Sequence, residues 1–399
     1  MDRTLKTLLL AGAGLLSAGI SPAAASLTDW SVAPLVSRIG DADFRLGGDA
    51  YGAVFGNDQP GFPGLDTSGV TGALRLYPRF ERNYDSGLVL GLHASILAYR
   101  DRLTNDRYGG DVFEKVYGAM QTGLGTVELG NVDGAGYKLG VSGPKVDEHL
   151  SLDDPEITFF RDPLTGHAFD EIFTVSAPVG ASLNYAKLSY YSPRLFGVEL
   201  GASFTPSESK DVLPFVSAGP HVPNRQRYIW EFAANYTDYL GPVSMGAYGA
   251  LSMAHNDTKT VGHEGLTEWA LGTAADWSVN DDWKLSAGVA YRESNAYAFA
   301  INNVLAAGTT RAVHASATAT YGSWIAGGEL IQGDADGSAG LPTLCVHGYQ
   351  ASLGYVINSN LQLTAGWQQL RYGRDAGAFY NGLSVIKMNA EYLHLDFHI

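Results

Sequence analysis

Stretches of about ten residues in which every second side chain is apolar recur down this chain, and a period of two belongs to strands. In RYIWEFAANY, Tyr228, Trp230, Phe232, Ala234 and Tyr236 share one face, while Arg227, Ile229, Glu231, Ala233 and Asn235 share the other. WKLSAGVAYR repeats the device. Trp283, Leu285, Ala287, Val289 and Tyr291 oppose Lys284, Ser286, Gly288, Ala290 and Arg292, with an aromatic ring at each end of the apolar face. VELGASF sets Val198, Leu200, Ala202 and Phe204 against Glu199, Gly201 and Ser203; TGALRLYPRF sets Leu74, Leu76 and Phe80 against Arg75, Tyr77 and Arg79. An apolar face edged by aromatics and backed by a small or charged face suits a sheet with one lipid side and one wet side. A soluble sandwich alternates too, so the period by itself leaves the orientation open.

The start of the chain points to export. Arg3 and Lys6 precede an apolar stretch from Leu8 to Ile20, followed by Ser21, Pro22, Ala23, Ala24 and Ala25. These are the marks of a secretory signal peptide, residues 1–25, which leaves 26–399 as a single domain. The apolar run is shorter than the roughly 20 residues a spanning helix needs, and none later in the chain approaches that length. A chain of this kind enters a membrane only as a closed β-barrel, the other way to satisfy every backbone group in lipid.

Composition agrees. Glycine supplies 49 of 399 residues and charged side chains only 17 %, the opposite of a charged, helical, cytosolic profile. With 22 Tyr, 16 Phe and 7 Trp, the chain carries too much ring surface to stay disordered. Acids number 41 against 26 bases, a formal charge of −15. Cleavage removes Arg3 and Lys6 against Asp2, taking the charge to −16. Such a chain repels a phosphate backbone, which argues against a nucleic-acid partner. One cysteine, Cys345, excludes an intrachain disulfide and a multi-thiolate zinc centre. No cofactor or metal is expected.

The alternation predicts sixteen strands, near 42–56, 69–82, 87–101, 112–123, 126–132, 181–191, 197–205, 226–238, 243–255, 265–278, 283–294, 311–321, 324–333, 344–357, 361–373 and 383–398. Tight links such as GLG at 123–125 and NSN at 358–360 alternate with long ones such as 56–69 and 205–226, as in an up-and-down barrel with short turns at one end. In the last strand Ile386, Met388 and Ala390 fall on the opposite parity to Leu393, Leu395, Phe397 and Ile399, which points to a bulge or a protein contact near Glu391. One connection is exceptional: from about 133 to 180 the chain leaves strand pattern yet stays apolar and aromatic, so it must pack, and the inside of a wide barrel is the place for it.

VYGAMQTGLGTVELGN (116–131) before that segment, LNYAKLSYYSPRLFGVELGASF (183–204) after it, and AGWQQLRYG (365–373) resemble the trimeric general diffusion porins of Gram-negative outer membranes. The resemblance implies an all-β fold, a 16-stranded antiparallel transmembrane β-barrel with a long inward-folded third loop. It implies a homotrimer in the outer membrane, touching lipids and lipopolysaccharide, with its C-terminal strand read by the barrel-insertion machinery. The family normally ends on Phe, whereas this chain ends on Ile399. The implied function is a water-filled channel for passive diffusion of small hydrophilic solutes and ions.

In the family, acids on the third loop face bases on the opposite wall. Parity turns Arg45, Arg75 and Arg79 into the lumen, joined by Lys115 and Lys187; the acids available on the loop are Asp133, Asp147, Glu148, Asp153, Asp154 and Glu156. Charges so placed set ion preference without a chemical step. The net charge points to a weak cation preference, because distant charges are screened. An alternative is a substrate-selective porin in which Tyr77, Tyr99 and Tyr117 stack on a sugar or aromatic solute; another is a secreted β-protein acting as a binding module. The ten histidines show no catalytic spacing, although His394 and Asp396 share a face, so no catalytic residue and no enzyme activity are expected. DADG at 334–337 lacks the rest of a calcium loop.

Overall fold

A computed structural model describes residues 32–59, 67–100, 113–152, 159–160, 179–207, 226–256, 265–295, 309–336, 343–374, 377 and 382–399. The strands are β1 (Leu35–Ile39), β2 (Ala42–Asn57), β3 (Ser68–Asn83), β4 (Val89–Arg100), β5 (Phe113–Thr122), β6 (Gly125–Asn131), β7 (Ala186–Tyr191), β8 (Val198–Ser207) and β9 (Gln226–Leu240). They continue as β10 (Val243–Asn256), β11 (Gly265–Ser278), β12 (Trp283–Ser294), β13 (Thr310–Tyr321), β14 (Trp324–Ala335), β15 (Leu344–Asn358), β16 (Leu361–Arg374) and β17 (Val385–His398). A short helix, α1 (Ala135–Lys138), lies between β6 and β7.

Strands β2 to β17 pair antiparallel with their chain neighbours and close into a sixteen-stranded barrel where β17 meets β2, from Ala390↔Asn57 to His398↔Asp49. Closure removes both sheet edges. All sixteen predicted strands are present, and their ends shift by a few residues where side chains stop alternating. The strand the alternation missed is β1, whose residues are all exposed and carry no pattern. It folds back on β2 through Gly40, at φ 63, and takes the edge of β2 beyond the end of β17. Asn360 ties the two terminal segments together: its Nδ2 donates to the carbonyls of Val32 at 2.9 Å and His398 at 2.6 Å, and its Oδ1 accepts from the Val32 amide at 2.8 Å.

The outward face is apolar between two aromatic rims. Trp283, Tyr321, Trp324 and Tyr355 stand in register on β12 to β15, with ring centroids 4.8 Å apart in the first pair and 4.7 Å in the last. Trp269 and Tyr291 form part of the other rim, 5.0 Å apart. Trp283 and Tyr291 lie on one strand, and at about 3.3 Å per residue and a tilt near 40° they bracket roughly 20 Å of membrane. Leu285 and Val289 between them are 39 % and 43 % exposed, a continuous apolar belt that suits lipid.

The inward face holds a correction. β17 pairs with β16 without a register shift from Leu361↔Phe397 to Gly373↔Val385, so there is no phase slip at Glu391. Ile386, Met388, Ala390 and Tyr392 point into the barrel and are at most 2 % exposed. They pack with Phe55, Ile331, Leu344, Leu370 and Tyr372 of the wall against Leu150, Leu152, Phe159 and Phe160 of the chain between β6 and β7. One sector of the lumen wall is therefore a dry core, and its apolar residues face the inserted segment instead of lipid.

Candidate functional site

After Asn131 the chain turns inward and runs along the barrel wall, meeting successive strands in order. At its start, the amide of Ala135 donates to Ser203 Oγ of β8 at 3.1 Å and that of Gly136 to Glu231 Oε2 of β9 at 3.0 Å; the Tyr248 hydroxyl of β10 donates to the Gly136 carbonyl at 2.5 Å. Next, Val141 presses on Gly272 of β11, and Gly143 lies against Gly288 of β12 and Ser316 of β13. A side chain on Gly272 or Gly288 would fill the space the backbone of the segment occupies, so the wall is glycine where the loop comes closest. Further on, Val146 rests over Gly327 of β14 and Gly354 of β15, and its carbonyl accepts from Gln362 Nε2 of β16 at 2.8 Å.

The far end reaches the seam. Asp147 Oδ2 lies 2.9 Å from His394 Nδ1 of β17, and His149 Nε2 lies 3.3 Å from Asp396 Oδ1 and 4.0 Å from Asp49 Oδ2 of β2. The His149 ring stacks on Tyr51 at 4.6 Å. Phe159 packs on Phe55 at 4.8 Å, and its carbonyl accepts from Asn57 Nδ2 at 2.8 Å. The described part of the segment thus lines the barrel from β8 round to β2, and among the described residues it touches the β3 to β5 side only at its feet, where Asp133 meets Lys115 and Asn184 Nδ2 donates to the Glu114 carbonyl.

Three wall glutamates hold it there. Glu231 takes the amides of Gly136 and Ser182, each at 3.0 Å, so both feet of the loop meet on one carboxylate. Glu268 takes Gly180 at 2.9 Å; Glu329 takes Leu152 at 3.1 Å and Ser151 Oγ at 2.8 Å. Glu231, Glu268 and Glu329 are 1 %, 5 % and 7 % exposed, and charged acceptors buried on amides form the stronger class of hydrogen bond. Glu231 and Glu268 belong to a row in the wall: Glu128, Ser189, Ser203, Glu231, Ser252, Glu268 and Ser294 lie directly opposite one another across β6 to β12.

The wall of β3 to β5 carries the charges. Arg75 Nε is 3.3 Å from Glu114 Oε2, and its Nη1 is 4.0 Å from Asp49 Oδ2; Ser95 Oγ donates to Glu114 at 2.9 Å. The Tyr77 hydroxyl donates to Asp49. Lys115 Nζ meets Asp133 Oδ2 at 2.7 Å, where the inserted segment begins. His93 lies 3.2 Å from Glu81 and 3.2 Å from the Tyr117 hydroxyl. Arg45 and Arg79 stand opposite each other on β2 and β3, both exposed and without an ion-pair partner among the described residues.

Arg45, Arg75, Arg79 and Lys115 therefore stand on this wall or at its edge, with Asp133 against Lys115. Lys187 and Asp147 do other work. Lys187 is 2 % exposed, and its ammonium is taken by the carbonyls of Val132, Ser182 and Leu183, so it pins the loop's feet together. Asp147, also 2 % exposed, accepts from the amides of His149 and Leu150, each at 3.0 Å, and shapes the loop's turn. Glu148 is exposed. Asp153, Asp154 and Glu156 lie outside the described residues, as does the signal segment 1–25.

Two bulges account for what parity missed. Between Ser95↔Lys115 and Ile96↔Phe113, Glu114 is an extra residue on β5, and the bulge turns it inward beside Lys115. Between Arg75↔Leu97 and Leu74↔Tyr99, Ala98 is extra on β4, which swings Tyr99 outward beside Leu74, 59 % exposed. Tyr99 is therefore no lumen ring, while Tyr77 and Tyr117 are inside with hydroxyls engaged.

The chain matches the family model described as Gram-negative porin over residues 7–392. No curated protein matches it in sequence. Among solved structures it is similar to OmpT folded in vitro, an outer membrane protein of Vibrio cholerae, at 12 % identity, covering 91 % of this chain and 99 % of that one with a TM-score of 0.54. The trimer form of the same protein matches at 11 % identity over 90 % and 99 %, TM-score 0.54. An anion-selective porin from Comamonas acidovorans matches at 15 % identity over 90 % and 100 %, TM-score 0.54. At such identities the likeness is one of fold. The family match spans nearly the whole barrel and its inserted loop: the chain belongs to the Gram-negative porins, β-barrel channels of the outer membrane.

Proposed function

We propose that this porin passes small hydrophilic solutes and ions down their gradients through the part of the lumen beside β3, β4 and β5, with no chemical step. The observation that carries it is the course of the described part of the inserted segment, which hugs the wall from β8 to β2 and, among the described residues, leaves one charged sector open. Arg45, Arg75, Arg79 and Lys115 with Asp49, Glu114 and Asp133 form the constriction, where paired charges give a steep local field and little net charge. The weak cation preference in this reading rests on the excess of acids in the chain, 41 against 26 bases. The protein is exported by the signal peptide ending at Ala25, inserted through its C-terminal strand and assembled as a homotrimer.

The test is single-channel conductance of the purified protein in a planar bilayer, with the reversal potential taken under a salt gradient. Stepwise openings with a small cation-signed potential are expected. A correctly folded barrel that carries no current would overturn the channel, and an anion-signed potential would overturn the selectivity.

A further inference from the structure

Beneath α1, on the side of the short turns, a cavity of about 330 Å³ opens between the loop and the wall, lined by Thr126, Lys138, Leu139, Tyr191, Arg194, Glu199 and Asn235. Two ion pairs frame it. Lys138 meets Glu128 and lies 4.7 Å above the Tyr191 ring. Arg194 Nη2 meets Glu199 Oε2 at 2.7 Å, and its Nη1 is fixed by the Gly197 carbonyl at 2.8 Å and Thr237 Oγ1 at 3.2 Å. One polar atom beside it is left over: Glu128 Oε2, on a residue 4 % exposed, has no hydrogen-bond partner among the described residues. Buried polar atoms without partners are rare in native proteins.

We propose that this cleft is a resting site for small zwitterions, of amino-acid to dipeptide size, on their way through the channel; the proposal rests on the porin function above. The lining has two cations, Lys138 and Arg194, and one carboxylate, Glu199; Arg194 is paired with Glu199, and Lys138 with Glu128 just outside the lining. A solute bearing one charge takes Arg194 or Glu199 at the expense of that group's present partner. A zwitterion inserted between them gives its carboxylate to Arg194 and Lys138 and its ammonium to Glu199, so each group keeps a partner. Sugars are the weaker fit, because the Tyr191 face on which a pyranose would stack is covered by Lys138.

The test uses the full-length porin in planar bilayers, with L-alanine, sodium propionate, propylammonium chloride and glucose as probes at neutral pH. L-Alanine should add concentration-dependent interruptions to the open-channel current, and the other three should not at equal concentration. Arg194→Gln and Glu199→Gln should each raise the half-maximal alanine concentration about tenfold, the loss of one charge-assisted hydrogen bond, with Arg194→Lys recovering part of it. Heat-modifiable gel mobility checks that each variant is folded. Equal interruptions by propionate or propylammonium, or a wild-type alanine response in both Gln variants, would overturn the site. A conducting wild-type channel indifferent to alanine overturns this site alone, whereas a silent one overturns the porin function itself.

Discussion

Replacing Glu231 with Gln should release the loop from the wall while leaving the barrel closed. The carboxylate accepts from Gly136 and Ser182 on the loop's two feet, each at 3.0 Å. An amide keeps one acceptor, now uncharged, and turns a donor toward the other amide. A hydrogen bond to a charged group contributes about 1.5–3 kcal/mol, and a buried donor left without an acceptor costs about 1–3 kcal/mol. Weakening one bond and losing the other therefore removes roughly 3 kcal/mol from the seated state, about a hundredfold in its population relative to the unseated one. The register of β9 with β8 and β10 is backbone work and stays. Single-channel recordings should show broadened conductance levels and more open-channel noise, and a protease added to the folded protein should cut the loop faster. A variant with wild-type noise and wild-type resistance, at unchanged heat-modifiable mobility, would refute the assignment of Glu231 as the staple.

Glu114→Gln should leave the Arg75 guanidinium with one carboxylate fewer and shift the reversal potential toward anions, the direction being the check. Phe159→Ala should cost about 3–5 kcal/mol of loop seating through the cavity left against Phe55 and Tyr392, read as faster loop proteolysis. Phe196, 99 % exposed at φ 51 and followed by Gly197 at φ 81, occupies a two-residue hairpin turn that favours Asn at its first position. Phe196→Asn should relieve about 1 kcal/mol of backbone strain and raise the temperature at which the folded gel band disappears.

The barrel was legible because lipid outside and water inside impose a period of two that survives in nearly every strand. Where a third environment intervenes the pattern misleads. Ile386, Met388 and Ala390 look out of phase only on the premise that every apolar residue faces lipid; they face Phe159 and Leu150 across a dry interior. Tyr99 was misplaced and Glu114 passed over for another reason, since one extra residue flips all that follow and nothing in FEKVYG or ILAYR marks the insertion. Arg75 and Arg79 were placed by parity alone. Glu231 was correctly put on the inward face, but its partners Gly136 and Ser182 lie 95 and 49 positions earlier, a distance over which local pattern carries no information.

The order of synthesis adds a consequence. The stretch from Ala135 to Leu152 is made before every strand from β7 to β17, and it contacts Gln362 and Gln368, 216 and 218 positions away, and beyond them His394 and Asp396 of the last strand. Contacts of such sequence separation close late, because the entropy of the intervening chain must be lost first. The segment can be gripped on both sides only once the final strand has met the first, so the wall forms around it much as staves form around a former. Closing the cylinder and seating the insert are then separable steps, and recordings on newly inserted molecules should catch a sealed but unthrottled form, of higher conductance, before the final level is reached.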